Sequence, residues 1–300
     1  MSEIETLIAP ELPASPADGS ARSPSLPDAS AAPALSPRVH AASVHGRSIV
    51  VRSAAAIAHE AVTGFRQPAG LVRFVKSLIK FPVEYRAARA HQAIPVASFL
   101  EVFPETASLT LTAPPSSLGR HGWNVKLHEE MLLGAAVAAI QARQIFEIGT
   151  FDGGTTRRLA ESAPDDATVY TMDLPEDAFD ASQSPTAFNG SRVGEKYRAS
   201  AAASKVRQIR HDAATFDFGP YRGRMDFVFV DAAHDHPHGL CDSKNALTLV
   251  RPGGVVVWHD FEPYWSGLVH AVCEATTGLP LRRLGGTSMA AVRMPPVGLP

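Results

Sequence analysis

The stretch FEIGTFDGGTT, residues 146–156, begins as a run of large apolar side chains carrying one acid, breaks at Gly149, and resumes after Gly153 and Gly154 in helix-compatible residues. Gln144 to Ile148 therefore reads as a buried strand, and Thr155 to Ser162 as a helix. Moving outward, Lys126 to Arg143 reads as a helix before this unit and Thr168 to Leu174 as a strand after it. Further strands are expected at Val206 to Arg210, Met225 to Asp231 and Gly254 to His259, and further helices at Leu240 to Val250 and Trp265 to Thr277. Strands that alternate with helices give an α/β, doubly wound, mostly parallel sheet covered on both faces. The last piece, LRRLGGTSMAAVRM at 281–294, differs. Two short strand-like runs meet there at Gly285 and Gly286, which predicts an antiparallel hairpin at one edge.

The chain has 300 residues, of which 45% are hydrophobic, and a formal net charge of -2. That size allows a substantial core, and that charge supplies no basic field for nucleic acid. A small-molecule partner is expected instead. Cys241 and Cys273 are too few and too far apart for a disulfide framework or a thiolate zinc site, so a reducing, cytoplasmic setting is expected. Glu3 and Glu5 stand where a signal peptide has positive charge, and the apolar run Met131 to Ile140 is about half the length that crosses a bilayer.

Residues 1–46 are rich in Pro, Ala and Ser and poor in large side chains, so disorder is expected there. Residues 47–120 read as a helical accessory region and linker. In LVRFVKSLIKFPVEYRAAR, residues 71–89, Leu71, Val72, Val75, Leu78 and Ile79 share one helical face, with Arg73, Lys76 and Lys80 on the other side. Such a helix is expected to pack on its own domain or on a second subunit of a homo-oligomer. Peripheral contact of residues 71–89 with an anionic membrane is the weaker expectation. Pro95 to Pro115 is irregular, with a short strand at Ser108 to Thr112 and a boundary at Pro114 and Pro115, and the main domain covers residues 121–300.

Open parallel sheets bind ligands beyond the carboxyl ends of their strands. The first such end is Glu147-Ile-Gly149-Thr150-Phe-Asp-Gly153, whose glycines would let a ligand approach the backbone. Its spacing is not the G-x-G-x-x-G of a dinucleotide site. The second strand ends at Asp173, 20 residues after Gly153, where a carboxylate can accept from ribose hydroxyls. The third leads into His211-Asp212-Ala213, a carboxylate and a small residue suited to an adenine. The fourth and fifth end in Asp231-Ala-Ala-His234 and Trp258-His259-Asp260, which brings carboxylate and imidazole groups to adjacent strands.

FEIGTFDGGTT, VYTMDL, HDAATFDF, DFVFVDAAH and RPGGVVVWHDF, in that order, resemble class I S-adenosylmethionine-dependent methyltransferases, particularly the bacterial macrocin-type sugar O-methyltransferases. The resemblance covers residues 123–294. It implies a seven-stranded, Rossmann-like sheet with a reversed last strand. It also implies that Glu147, Gly149, Thr150 and Gly153 surround the methionine part of S-adenosylmethionine, with Asp173 at the ribose and Asp212 and Ala213 at the adenine; without a metal, Asp231 is expected to orient backbone amides and the cofactor's amine. Catechol and caffeoyl-CoA O-methyltransferases extend the resemblance, because they place a metal-binding Asp after the fourth strand and an Asp-Asn pair after the fifth. The corresponding residues here are Asp231, His259 and Asp260, a set that would take Mg²⁺ or Mn²⁺, with His259 a departure from the pattern.

His234 lies three residues beyond Asp231, where the catechol-type enzymes have a catalytic lysine, and an imidazole suits a general base. His234 is the first candidate base and His259 the second. His236 and His238 are expected to be solvated, and Tyr264 and Trp265 to stack on an acceptor or pack in the core. Two other readings fit parts of the pattern: a metal-dependent hydrolase or oxygenase built on Asp231, His234, His259 and Asp260, and a non-catalytic binding module that keeps the fold.

Overall fold

The computed structural model describes residues 68–110, 124–178 and 190–296, all within the unit Val39–Pro300. The expected disordered segment 1–46, the helical stretch before residue 68, the boundary prolines and part of the strand expected at 108–112 lie outside the described residues. Pro104–Ser108 forms a 3₁₀ turn.

Eight strands form one sheet: β1 Val96–Ala97, β2 Gln144–Ile148, β3 Thr168–Asp173, β4 Val206–Arg210, β5 Met225–Val230, β6 Val250–Trp258, β7 Arg282–Leu284 and β8 Ala290–Arg293. Their order is β1-β7-β8-β6-β5-β2-β3-β4. All pairings are parallel except those of β8, which runs against both β6 and β7. The mostly parallel architecture with an antiparallel edge region is the one expected, with one addition. β1 comes from the segment read as irregular linker and adds an eighth strand outside the hairpin, pairing Val96 with Arg283 and Ala97 with Leu284.

Among the described residues seven α-helices accompany the sheet: α1 Pro68–Ala93, α2 Phe99–Val102, α3 Leu127–Ala139, α4 Gly154–Ser162, α5 Glu195–Arg198, α6 His236–Leu249 and α7 Ser266–Ala275. Alternation along the strands sorts the core. Ile145, Phe227, Phe229, Val255 and Val257 pack with Leu133, Val137 and Leu159 of α3 and α4. Phe146, Val228, Val230, Val256 and Trp258 pack with Ala246 and Leu249 of α6 and with Leu268 and Val272 of α7. Successive strand residues thus serve opposite layers, which is why each central strand is apolar without interruption.

Two element boundaries differ from the expected ones for local reasons. Helix α6 starts at His236 rather than Leu240, because Asp235 caps it by accepting from His238 N at 3.1 Å and Pro237 sits in the first turn, where its missing N–H is no loss. Strand β6 starts at Val250 and runs through Pro252, Gly253 and Gly254 by way of a register irregularity opposite β5. Helix α1 also packs differently from its expected pattern. Its C-terminal half is buried through Ala87 and Ala88 and meets α7, whereas Val75, Leu78 and Ile79, part of the supposed packing face, are exposed. Among the described residues no helix is long and apolar enough to cross a membrane.

Candidate functional site

The strand order reverses between β2 and β5, and a cleft of about 820 Å³ opens beyond their carboxyl ends, as open α/β sheets lead one to expect. Gly149, Thr150, Asp173, Asp212, Ala213, Asp231, His234 and Asp260 line it; Glu147, Gly153 and His259 do not.

The glycine loop is shaped by the protein's own chain. Gly149 has φ +102°, and a Cβ there would lie 2.1 Å from the Asp231 carbonyl oxygen. Gly153 has φ +80°, and its Cβ would lie 2.8 Å from Gly194 Cα and 2.9 Å from Tyr197 Cδ1. Both glycines are therefore required by close approach between elements, and Gly149 also lines the cleft. Asp173 has a second task besides facing the cleft. One of its oxygens accepts from Thr150 N at 3.0 Å and Phe151 N at 2.8 Å, and the other from Leu174 N at 2.9 Å, so it clamps the loop to the end of β3. Asp152 anchors the loop's other side, accepting from Asn124 Nδ2 at 2.9 Å and pairing with Lys196 Nζ at 2.7 Å. Asp212 accepts from Ala214 N at 2.8 Å and closes the turn after β4.

Glu147 lies beneath the loop, fully buried, with the Thr156 and Thr171 hydroxyls donating to one carboxylate oxygen. Burial raises its pKa to about 8; the threonine hydrogen bonds oppose the rise, and the charges of Asp231 and Asp173 add to it. It is thus a neutral acid at neutral pH. A raised folded-state pKa in an acid contributes stability below the unfolded value near 4.5, and that contribution is lost as pH rises toward 8. Glu147→Gln is expected to flatten the fall in thermal midpoint between pH 5 and pH 8 (about that window). A scan of both proteins by calorimetry checks this, and parallel curves would contradict it.

At the other end of the cleft, Asp231 follows β5 and Asp260 follows β6, with Asp260 in the left-handed region at φ +52°. That conformation is uncommon for a residue other than glycine and recurs at functional sites. His234 Nε2 lies 2.9 Å from Asp260 Oδ2, and its ring stacks on Trp265 with centroids 4.0 Å apart. Trp265 thus packs on His234 and also lines the cleft, while Tyr264 stays exposed beside it. Farther out, His236 pairs with Glu274 and His238 with Asp235.

His259 turns away from the cleft into a buried polar cluster. Its Nε2 lies 3.3 Å from Glu129 Oε2 and 3.2 Å from Ser288 Oγ, and its Nδ1 lies 3.3 Å from Asp231 Oδ1 and 3.5 Å from Asp260 Oδ1. Burial lowers the imidazole's pKa, but the surrounding Asp231, Glu129 and Asp260 carboxylates prevail and raise it to about 11. Its Nδ1 thus faces the two carboxylates with which it was expected to hold a cation, and its other nitrogen is held by Glu129. Among the described residues the fold also brings Asp231, His234 and Asp260 together, with one donor atom from each within 4.8 Å of the others. Two carboxylates and an imidazole suit a divalent ion. His259, the second candidate base, is buried and does not line the cleft. Glu129, buried at the start of α3, was missed by the sequence reading, since acids at a helix N-terminus ordinarily favour the macrodipole from a solvated position.

Residues 146–261 match the family model described as a methyltransferase domain. Over 167 residues the chain is 28% identical to caffeoyl-CoA O-methyltransferase 2 of Petunia hybrida and to caffeoyl-CoA O-methyltransferase 3 of Nicotiana tabacum, each match covering 55% of this chain and 63% of the relative. The chain thus spans less than two thirds of the length of these relatives. Among solved structures it is similar to the O-methyltransferase TomG from Streptomyces achromogenes, determined with SAM, at 24% identity and a TM-score of 0.45, covering 57% of this chain and 82% of that one. The resemblance to class I methyltransferases carried by the strand-end motifs is borne out by the family match and the curated relatives.

Proposed function

From these matches and the cleft we propose that this chain transfers the methyl group of S-adenosylmethionine to a hydroxyl of a small molecule. The observation that carries the proposal is the single cleft that joins a loop clamped by Asp173 at one end to the His234 and Asp260 pair at the other. In this reading the loop Gly149–Thr150 takes the methionine part, the remaining lone-pair capacity of Asp173 takes the ribose hydroxyls, and Asp212 with Ala213 takes the adenine. S-adenosylmethionine supplies a methyl group on a sulfonium, so the protein's work is to align an acceptor oxygen behind that methyl and remove its proton. Asp260 binds Nε2 of His234 and fixes the tautomer that leaves Nδ1 to accept the proton, while Trp265 fixes the ring plane.

Asp231, His234 and Asp260 would hold Mg²⁺ or Mn²⁺. Bound there, a divalent ion would supply Lewis-acid polarisation of the acceptor hydroxyl. A neutral His234 that gave its Nε2 lone pair to an ion would carry its proton on Nδ1 and have no basic nitrogen left, so metal loading and proton removal by His234 are alternatives. The same trio supports a second reading, metal-dependent hydrolysis, which gives the Asp173 end of the cleft no task.

Calorimetric titration with S-adenosylmethionine and S-adenosylhomocysteine in chelator, then with Mn²⁺, tests the proposal. Binding in chelator is expected, and Asp173→Asn is expected to weaken it by about 1.5–3 kcal/mol, the worth of hydrogen bonds to a charged group. Unchanged affinity in that variant would remove the ribose assignment. Metal binding by the well-folded parent without cofactor binding would favour the hydrolase reading.

A further inference from the structure

We infer that His259 is a positioning residue whose Nδ1 sets the relative placement of Asp231 and Asp260, and that Glu129 and Ser288 hold its ring for that purpose. This rests on the proposal that the two aspartates form the reacting end of the cleft. They stand at the ends of neighbouring parallel strands, about 5 Å apart by sheet geometry, and two like charges at that spacing turn away from each other unless something lies between them. Nδ1 lies between them, 3.3 Å from Asp231 Oδ1 and 3.5 Å from Asp260 Oδ1. It makes an aligned hydrogen bond with neither, so it is a buried nitrogen shared by two carboxylates. One oxygen of each acid faces the ring, and Asp260 keeps its other oxygen for His234.

The ring has little freedom to do anything else. Its backbone N–H donates to Val230 O at 3.0 Å, which ties it to β5. On its far edge Glu129 uses one oxygen for His259 Nε2 and the other for Ser288, accepting from the backbone N–H at 2.6 Å and from the hydroxyl at 2.9 Å. Glu129 from α3 and Ser288 from the turn between β7 and β8 both lie outside the stretch 146–261 that matches the methyltransferase-domain model. The arrangement of the aspartates is therefore set through elements outside that domain match. His259 does not line the cleft, so it acts through Asp231 and Asp260 and not on an acceptor.

Counting bonds from Cα gives two variants that split the ring's two edges. Asparagine places its amide nitrogen as many bonds out as Nδ1, and glutamine places its amide nitrogen as far out as Nε2. His259→Asn keeps a donor between Asp231 and Asp260 and gives up the link to Glu129; His259→Gln does the opposite. Crystal structures of both metal-free variants are expected to show the parental carboxylate arrangement in His259→Asn and carboxylates turned apart in His259→Gln. Mn²⁺ affinity should stay close to the parent's in His259→Asn and fall about tenfold or more in His259→Gln, the usual effect of removing a group that orients ligands. Thermal midpoints should run the other way, with His259→Asn the less stable, because buried Glu129 loses its imidazole partner and keeps only Ser288 and Lys126. A purely structural role predicts the same ranking in all measurements. Parental carboxylate geometry in His259→Gln, or equal displacement in both variants, would overturn the inference. A parent that fails to bind S-adenosylhomocysteine would sink the methyltransferase proposal without touching the carboxylate comparison, and if the parent takes no Mn²⁺ that comparison alone decides.

Discussion

Gly149→Ala is expected to yield protein that is mostly unfolded, or whose thermal midpoint is lower by on the order of 10 °C or more, given the several kcal/mol of a rigid backbone clash in a chain of this size. The added Cβ would lie 2.1 Å from the Asp231 carbonyl oxygen and 2.6 Å from its carbon, well inside contact distance. Neither side can yield cheaply. Gly149 N donates to Met172 O at 2.9 Å, and Asp231 N donates to Ile148 O at 2.9 Å, so any retreat breaks the sheet where the adjacent strands β5, β2 and β3 end. Gly223→Ala is the control, since Gly223 also has positive φ, +63°, but nothing within 4 Å of its Cβ. It should cost only about 1 kcal/mol of backbone strain. Circular dichroism melts of the two variants decide, and similar midpoints would show that the approach of β2 to β5 is softer than its geometry implies.

His234→Ala should lower turnover by roughly 10²- to 10⁴-fold, the range for loss of a general base, while the affinity for S-adenosylhomocysteine stays that of the parent. The split follows from placement, since His234 is held by Asp260 and Trp265, whereas Asp173 clamps the glycine loop. Asp260→Asn should show a smaller loss, because the amide can still hold the ring but favours no single tautomer. Both are measured as initial rates of S-adenosylhomocysteine formation once an acceptor is found. A parental rate in His234→Ala would remove His234 as the base and return weight to the divalent ion.

The sheet was legible because each of its central strands is a short run of β-branched and aromatic residues stopped by a glycine or an acid. Phe227, Val228, Phe229 and Val230 before Asp231 are an example. The strand ends were legible for the same reason, and eight of the residues read there line one cleft. What the residues could not reveal was what each faces. Gly149 next to an apolar run looks the same whether it accommodates a ligand or another strand. His259 beside Asp260 gives no hint that Glu129, from a helix 130 positions earlier, stands against its other nitrogen. Strand β1 escaped notice because two residues carry no period, and its pairing with Arg283 and Leu284 leaves no local trace.

That pairing imposes an order on synthesis. Arg283 N–H donates to Pro95 O, Gly285 N–H donates to Ala97 O, and the Arg283 guanidinium reaches Ile94 O across 189 positions of sequence. During translation the partner edge for β1 emerges on the order of 10–40 s after β1 itself, at about 5–20 residues per second. Throughout that interval Val96 and Ala97 have no strand to join, so one of the earliest-made pieces of the sheet is among the last to dock, and the nascent chain must carry it unpaired until its C-terminal hairpin has left the ribosome.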